Sequence, residues 1–179
     1  MKIRSVLVTG GAGYVGAVLV PQLVEDGYRV TVVDTMWIHG DILPRMTGLK
    51  VVKGDIRSMT IQDFYGQDAV IHLANISNDP SFDLNPELST EINLTAFEPL
   101  VVMAKAAGVK RFVNCSSSSV YGLSENPEVK EDHPLVPMTL YNKFKGLCEP
   151  LLWKHMSDDF TCVNIRPATV CGYSPAQRL

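Results

Sequence analysis

An apolar run over 3–8 leads straight into Thr9-Gly10-Gly11-Ala12-Gly13-Tyr14-Val15-Gly16, and Val15, Leu19 and Leu23 lead out at helical spacing. Strand, glycine turn and helix in that order constrain the fold more than any other stretch. Gly10 allows a tight reversal of the backbone, and Gly13 leaves no Cβ where the backbone would approach a ligand. Gly16 lets the helix pack close to the strand. The unpaired N–H groups and dipole of the helix then face the turn, which suits it to a phosphate. A second apolar run, Val30-Thr31-Val32-Val33, ends at Asp34, about 20 residues past the glycines. A carboxylate there would accept hydrogen bonds from ribose hydroxyls. Together the two features read as a dinucleotide-binding βαβ unit.

The rest of the chain continues the alternation. The first helix is expected to run to Asp26 with a kink at Pro21, and to stop at Gly27. A loop follows over 37–48, then a short strand over 49–52 and a small helix near 61–65. The run over 68–73 is apolar apart from His72, as suits a strand covered on both faces. The stretch 75–85 reads as a polar loop. Pro86 then opens a helix to Ala107, bent at Pro99 and stopped by Gly108. A fifth strand is expected over 110–115, a helix over 141–156 and a sixth strand over 160–165. Between them, 116–140 carries Gly122, Pro127, Pro134 and Pro137 and reads as a loop that organises a site. Strands alternating with helices predict an α/β fold, a doubly wound parallel sheet of order 3-2-1-4-5-6. Its ligand would lie across the carboxyl ends of the strands.

Composition narrows the function classes. With 179 residues, the chain suits one domain spanning 1–179, and 46% hydrophobic content suits a packed core. The net charge of −3 gives no footprint for a nucleic-acid partner. The four cysteines (Cys115, Cys148, Cys162 and Cys171) form no CxxC pair and share no ligand-like spacing with the four histidines. Neither a metal site nor a disulfide framework is expected, and reduced thiols in a cytoplasm are the simple reading. No segment has the length of a membrane span, and no secretory signal is recognisable.

Two clusters carry chemistry. Ser116-Ser117-Ser118-Ser119-Val120-Tyr121-Gly122 stands at the carboxyl end of the fifth strand, where this fold places ligands. Tyr141 and Lys145 lie one helical turn apart at the start of the following helix and project from one face. A phenol has a reference pKa of about 10, so it needs help to act as a base near neutrality. A nearby ammonium favours the phenolate, and a nicotinamide's positive charge adds to this. A serine hydroxyl beside the phenol could hydrogen-bond the same substrate oxygen and orient it.

These stretches, with Gly54-Asp55-Ile56, His72-Leu73-Ala74 and Arg166-Pro167 followed by Gly172, resemble the extended branch of the short-chain dehydrogenase/reductase superfamily, whose Rossmann-fold members include nucleotide-sugar epimerases and dehydratases. The resemblance covers essentially the whole chain. It implies NAD as cofactor, favoured over a 2′-phosphorylated one by the carboxylate of Asp34. It makes Tyr141 the catalytic base and acid, with Lys145 lowering its pKa and holding the nicotinamide ribose. Ser117, four residues before Tyr121, becomes the catalytic serine. The cofactor would be held by Gly10, Gly13, Tyr14, Val15, Gly16, Asp34, Asp55, Ile56, Leu73, Ala74 and Pro167, together with Tyr141 and Lys145. Ser117, Ser118 and Asn93 would face a nucleotide-sugar substrate. A homodimer through the helices over 87–107 and 141–156 is also implied.

Departures from the family pattern select among its reactions. Where dehydratases place two acids after the catalytic hydroxyl, and decarboxylases a glutamate, this chain has Ser118 and Ser119. A further subgroup uses a cysteine at the place of Ser119. Cys115 lies on the strand and is expected to pack rather than react. Thr169 stands where many relatives carry an asparagine that touches the substrate. The expected activity is therefore NAD-dependent epimerisation of a nucleotide sugar, with a 4-keto reductase or dehydrogenase as the alternative and a non-catalytic NAD-binding protein as the second. Members of this branch continue into a smaller substrate-binding domain. A C-terminal substrate lobe is thus expected to be missing from this chain, with Ala176-Gln177-Arg178-Leu179 as its entrance.

Overall fold

The computed structural model of the protein describes residues 2–77 and 79–177. Six strands form one sheet: β1 (Ser5–Thr9), β2 (Arg29–Asp34), β3 (Leu49–Lys53), β4 (Ala69–His72), β5 (Arg111–Cys115) and β6 (Thr161–Ile165). Their order is β3-β2-β1-β4-β5-β6, and every pairing is parallel. The doubly wound topology expected from the sequence is therefore the one observed, and it brings the ends of β1, β4 and β5 side by side.

Both faces of the sheet are covered. Along β1, Val6 and Val8 point into one apolar cluster with Val20, Val30 and Val32, while Leu7 points into the other with Phe97, Leu100, Phe112 and Leu152. Alternate side chains of one strand thus serve two cores, which explains why its sequence is apolar without a break. Asp68 fixes the start of the sheet. Its carboxylate accepts the N–H groups of Arg4 (2.8 Å) and Ser5 (3.0 Å), and these bonds hold its pKa below the usual carboxylate range.

Helix α1 (Gly16–Glu25) continues through Pro21 without a break. Gly27, at φ +89°, ends it with its N–H on the Val24 carbonyl (3.0 Å), while the Tyr28 N–H reaches the Leu23 carbonyl (3.0 Å). Two expectations need correction. The stretch read as a loop over 75–85 contains a short helix, α2 (Asp79–Leu84), seated by the fully buried Phe82, whose ring meets Phe144 edge-on at 5.4 Å. Asn78, also in that stretch, lies outside the described residues. The long helix expected from Pro86 to Ala107 is three pieces: α3 (Pro86–Thr90), a π turn (Glu91–Thr95) and α4 (Phe97–Ala106). Pro99 offers no N–H to the Thr95 carbonyl and its ring crowds that carbonyl. The helix widens just before it, with the Ala96 N–H reaching back five residues to Glu91 (2.9 Å). Helix α5 (Leu140–Trp153) is capped by Thr139, which accepts the Asn142 N–H at 3.3 Å. Among the described residues no helix is long and apolar enough to cross a membrane.

Gly11 is wedged between β2 and α1. A Cβ there would lie 2.8 and 2.9 Å from the two Val32 methyls and 3.2 Å from a Val20 methyl. Gly11→Ala is expected to cost about 1–3 kcal/mol through overpacking, read as a lower urea midpoint at unchanged slope, and Val32→Ala in the same chain should recover part of it. His72 gives a second test. Its ring lies on Phe97 and Phe112, with Nδ1 at 2.8 Å from Thr9 Oγ1, and burial, helped by the Lys145 charge, pushes its pKa down to about 3. The unfolded chain therefore takes up this proton first. Stability from the group is complete above about pH 6.5 and is lost as pH falls towards 3, by up to about 1.4 kcal/mol per pH unit. Denaturation midpoints of His72→Gln should fall less steeply than wild type between pH 6.5 and 4.

Candidate active site

The glycine turn is built by backbone meeting backbone. Gly10 has φ +73°, and a Cβ on it would lie 2.5 Å from the Ala74 nitrogen, so the chain leaving β4 presses directly on the turn. A Cβ on Gly16 would collide with the Gly11 carbonyl and Cα. The helix is thus close to the turn itself, and Gly11, rather than Gly16, sets its distance from the strands. Gly13 differs. A Cβ there would meet only the Gly10 carbonyl oxygen, at 3.3 Å, because that side of the turn is open. Helix α1 starts beside it at Val15 with no side-chain cap and no acidic residue in its first turn. An open concavity at an uncapped helix start fits a pyrophosphate.

Asp34, half-buried at the end of β2, faces the same turn. Its Oδ2 accepts the Ala12 N–H (2.9 Å) and its Oδ1 the Met36 N–H (2.7 Å). The carboxylate is thereby fixed at the rim with lone pairs left for ribose hydroxyls. Tyr14 reaches across to the chain after β6: its hydroxyl donates to the Gly172 carbonyl (2.5 Å), and its carbonyl accepts the Ser174 hydroxyl (2.7 Å). Ala176 is buried in the cluster beneath α1. Of the expected lobe entrance, Arg178 and Leu179 lie outside the described residues.

Further along the sheet edge, the Leu73 N–H donates to the Thr9 carbonyl (2.9 Å) and Ala74 packs on the core. Asp55 accepts the Arg57 backbone N–H (2.9 Å) and pairs with its guanidinium (2.7 Å). That guanidinium is the main cause holding the Asp55 carboxyl below its ordinary range. The Ile56 side chain is buried in the core. The side chains of this pair are thus occupied by the protein. A base stacking here would meet their backbone and edges.

The candidate catalytic groups gather where β5 ends and α5 begins. Lys145 is buried, and its Nζ donates to the Cys115 carbonyl (2.7 Å) while lying 5.9 Å from the centre of the Tyr141 ring. Desolvation lowers its pKa, with the Cys115 and Cys148 thiols acting in the opposite sense. Cys115 contributes its carbonyl here, and burial raises its thiol pKa, which suits a packing residue better than a nucleophile. Ser117 caps a 3₁₀ turn (Ser118–Tyr121) and lies 2.7 Å, Oγ to Oγ, from Ser119. Ser119 in turn donates to Asn142 Oδ1 at 2.6 Å. The Ser118 N–H donates to the Pro167 carbonyl (2.9 Å), which ties the serine turn to the exit of β6. Ser117, Tyr141 and Lys145 are therefore held on two elements that these bonds join.

Asn93 does not join them. It is 3% exposed, its amide oxygen accepts the Ile76 N–H (2.8 Å), and its amide nitrogen donates to the Ile76 carbonyl (2.9 Å). The expected substrate contact is corrected to a clamp between the π turn and the chain leaving β4. A pair that the sequence reading passed over supports the serine turn from below. Glu149, 1% exposed, receives Arg166 Nε (2.9 Å) and Nη2 (2.6 Å) and the Ser116 hydroxyl (2.6 Å). Arg166 also donates to the Tyr121 hydroxyl (2.7 Å) and the Glu131 carbonyl (2.8 Å), and Glu149 is the first cause of its raised pKa. The available signal was a glutamate one turn past Lys145 on the same helical face, with an arginine ending the next strand. Among the described residues no group of three or more His, Cys, Asp or Glu side chains could hold a metal ion.

Known proteins resemble this chain in sequence and fold. A UDP-glucose 4-epimerase of Oryza sativa subsp. japonica is 29% identical over 97% of this chain and 51% of its own length. A solved UDP-N-acetylglucosamine 4-epimerase from Methanobrevibacter ruminantium M1, in complex with UDP-N-acetylmuramic acid, superposes with TM-score 0.84 at 30% identity, over 93% of this chain and 55% of that one. MoeE5, solved with UDP-glucuronic acid and NAD, gives 0.79 at 32% identity, over 90% and 54%. The chain thus spans about half the length of these relatives. Residues 6–178 match the NAD dependent epimerase/dehydratase family, and the chain, with its glycine turn, serine turn and Tyr141–Lys145 pair in family order, belongs to it.

Proposed function

We propose that this chain is the cofactor-binding and catalytic part of an NAD-dependent nucleotide-sugar 4-epimerase acting on a UDP-sugar, and that 1–179 functions as one dinucleotide-binding domain. The observation that carries the reading is the composition of the reacting corner. Tyr141 stands beside the buried ammonium of Lys145 and near a serine turn that holds no carboxylate of its own. Acid-assisted elimination would need a carboxylate at Ser118 or Ser119, and Glu149 close by is already committed to Arg166 and Ser116. The names of the relatives, two of them 4-epimerases of UDP-sugars, support the same reading.

The cradle of Gly10, Gly13 and the start of α1 would hold the pyrophosphate of NAD, and Asp34 its adenosine ribose. NAD bound there would supply a reversible hydride acceptor, so that the sugar carbon could be oxidised and re-reduced on its opposite face with no net oxidation. Tyr141 takes the proton of the sugar hydroxyl as the carbonyl forms and gives it back as the carbonyl is reduced. Lys145, fixed by the Cys115 carbonyl, stabilises the phenolate by its charge and would hold the nicotinamide ribose of a bound NAD. Ser117 hydrogen-bonds the substrate oxygen and orients it. A cytoplasmic setting fits the free thiols. A homodimer through α4 and α5 fits the exposure of Val102, Leu147 and Trp153.

Tyr141→Phe in the full-length protein is expected to lower UDP-sugar interconversion by about 10²–10⁴-fold while NAD affinity stays within a few-fold. Isomer conversion followed by chromatography, alongside cofactor absorbance, checks this. Stoichiometric consumption of a reduced cofactor would instead identify a reductase, and undiminished turnover in the variant would remove Tyr141 from the mechanism.

A further inference from the structure

Asn142 follows Tyr141 directly, and its side chain turns towards the serine loop. Its Oδ1 accepts the Ser119 hydroxyl at 2.6 Å, and Ser119 Oγ lies 2.7 Å from Ser117 Oγ. Ser119 also donates its backbone N–H to Ser117 Oγ at 3.1 Å. The chain of bonds has a direction. A carboxamide oxygen only accepts, so Ser119 spends its one hydroxyl hydrogen on Asn142 and can take only the hydrogen of Ser117. Two contacts from Ser119 thus fix the side-chain rotamer of Ser117 and take up its one hydrogen, which leaves a lone pair of Oγ to accept from a substrate hydroxyl. A free serine has three staggered positions of similar energy, and only one can meet a given substrate oxygen. Asn142 is itself anchored by its N–H to the Thr139 hydroxyl, so the wire spans from the start of α5 to the end of β5.

We propose that Ser119 and Asn142 are positioning residues that preset Ser117 Oγ to accept from the sugar hydroxyl and link its placement to that of Tyr141. The proposal rests on the catalytic reading of Ser117 and Tyr141 given above. Neither residue need touch the substrate; both act through Ser117.

The test uses the full-length protein with NAD and UDP-galactose. Asn142→Ala and Ser119→Ala should each lower kcat on the order of tenfold, the loss of one hydrogen bond, with KM and NAD affinity little changed. Ser119→Thr, which keeps the hydroxyl, should restore most of the rate. In a Ser117→Ala background, Asn142→Ala should cause almost no further loss, because the group it acts through is gone. A merely structural role at the start of α5 would disturb Tyr141 and would still lower the rate in that background, which would overturn the proposal. A second readout needs no turnover: crystal structures of Asn142→Ala should show Ser117 in more than one rotamer. An unchanged single rotamer would overturn the proposal in a fully active enzyme. If wild type converts no nucleotide sugar while the Ser117 rotamer still responds to Asn142→Ala, the wire stands and the epimerase reading falls.

Discussion

Close contact between main chains at the carboxyl edge of the sheet governs everything else. The end of β4 presses on Gly10, α1 presses on Gly11 through Val20, and Gly16 presses on Gly11 in turn. Side chains at these points would hold the strands and helix apart, and the open side at Gly13 would no longer be a concavity of the right depth. The carboxylate of Asp34 locks the same corner by bonding the Ala12 N–H. A concavity suited to an anion is thus obtained from backbone geometry.

The corner of Lys145, Tyr141 and the serine turn is built on a different principle, that of buried charge. Lys145 is desolvated, which costs free energy, and its position is bought by a single strong bond to a strand carbonyl. Directly behind the serine turn, Glu149 and Arg166 form a second buried ionic unit whose hydrogen bonds reach Ser116 and Tyr121. A buried pair of this kind adds little net stability compared with apolar residues, but removing one partner leaves the other uncompensated. Its value is directional: Glu149 fixes Ser116 and Arg166 fixes Tyr121, one on each side of Ser117.

Strand order, the tight reversal at Gly10 and the gathering of the serine turn with the Tyr141–Lys145 pair could be read from the chain because each has a local signature. Period and composition mark the strands, and fixed offsets mark Asp34, Ser117, Tyr141 and Lys145. The readings that failed depended on partners distant in sequence. Asn93 carried no local sign that Ile76 would take both ends of its amide. Helix α2 is too short to show a period and forms because Phe82 finds Phe144. Pro99 correctly predicted a disturbance, but not that the helix would absorb it as a wide turn just upstream. The wire from Asn142 was invisible for the same reason, since it joins residues more than twenty positions apart.

The bonds from Tyr14 to Gly172 and Ser174 join positions separated by 158 and 160 residues. During synthesis the glycine turn emerges first, whereas the segment that braces it emerges after β6. The anion cradle therefore reaches its final form only when nearly the whole sheet has assembled, because a contact of such length forms late and carries a large closure entropy. A dinucleotide held at this turn would therefore stabilise the assembled sheet rather than nucleate it.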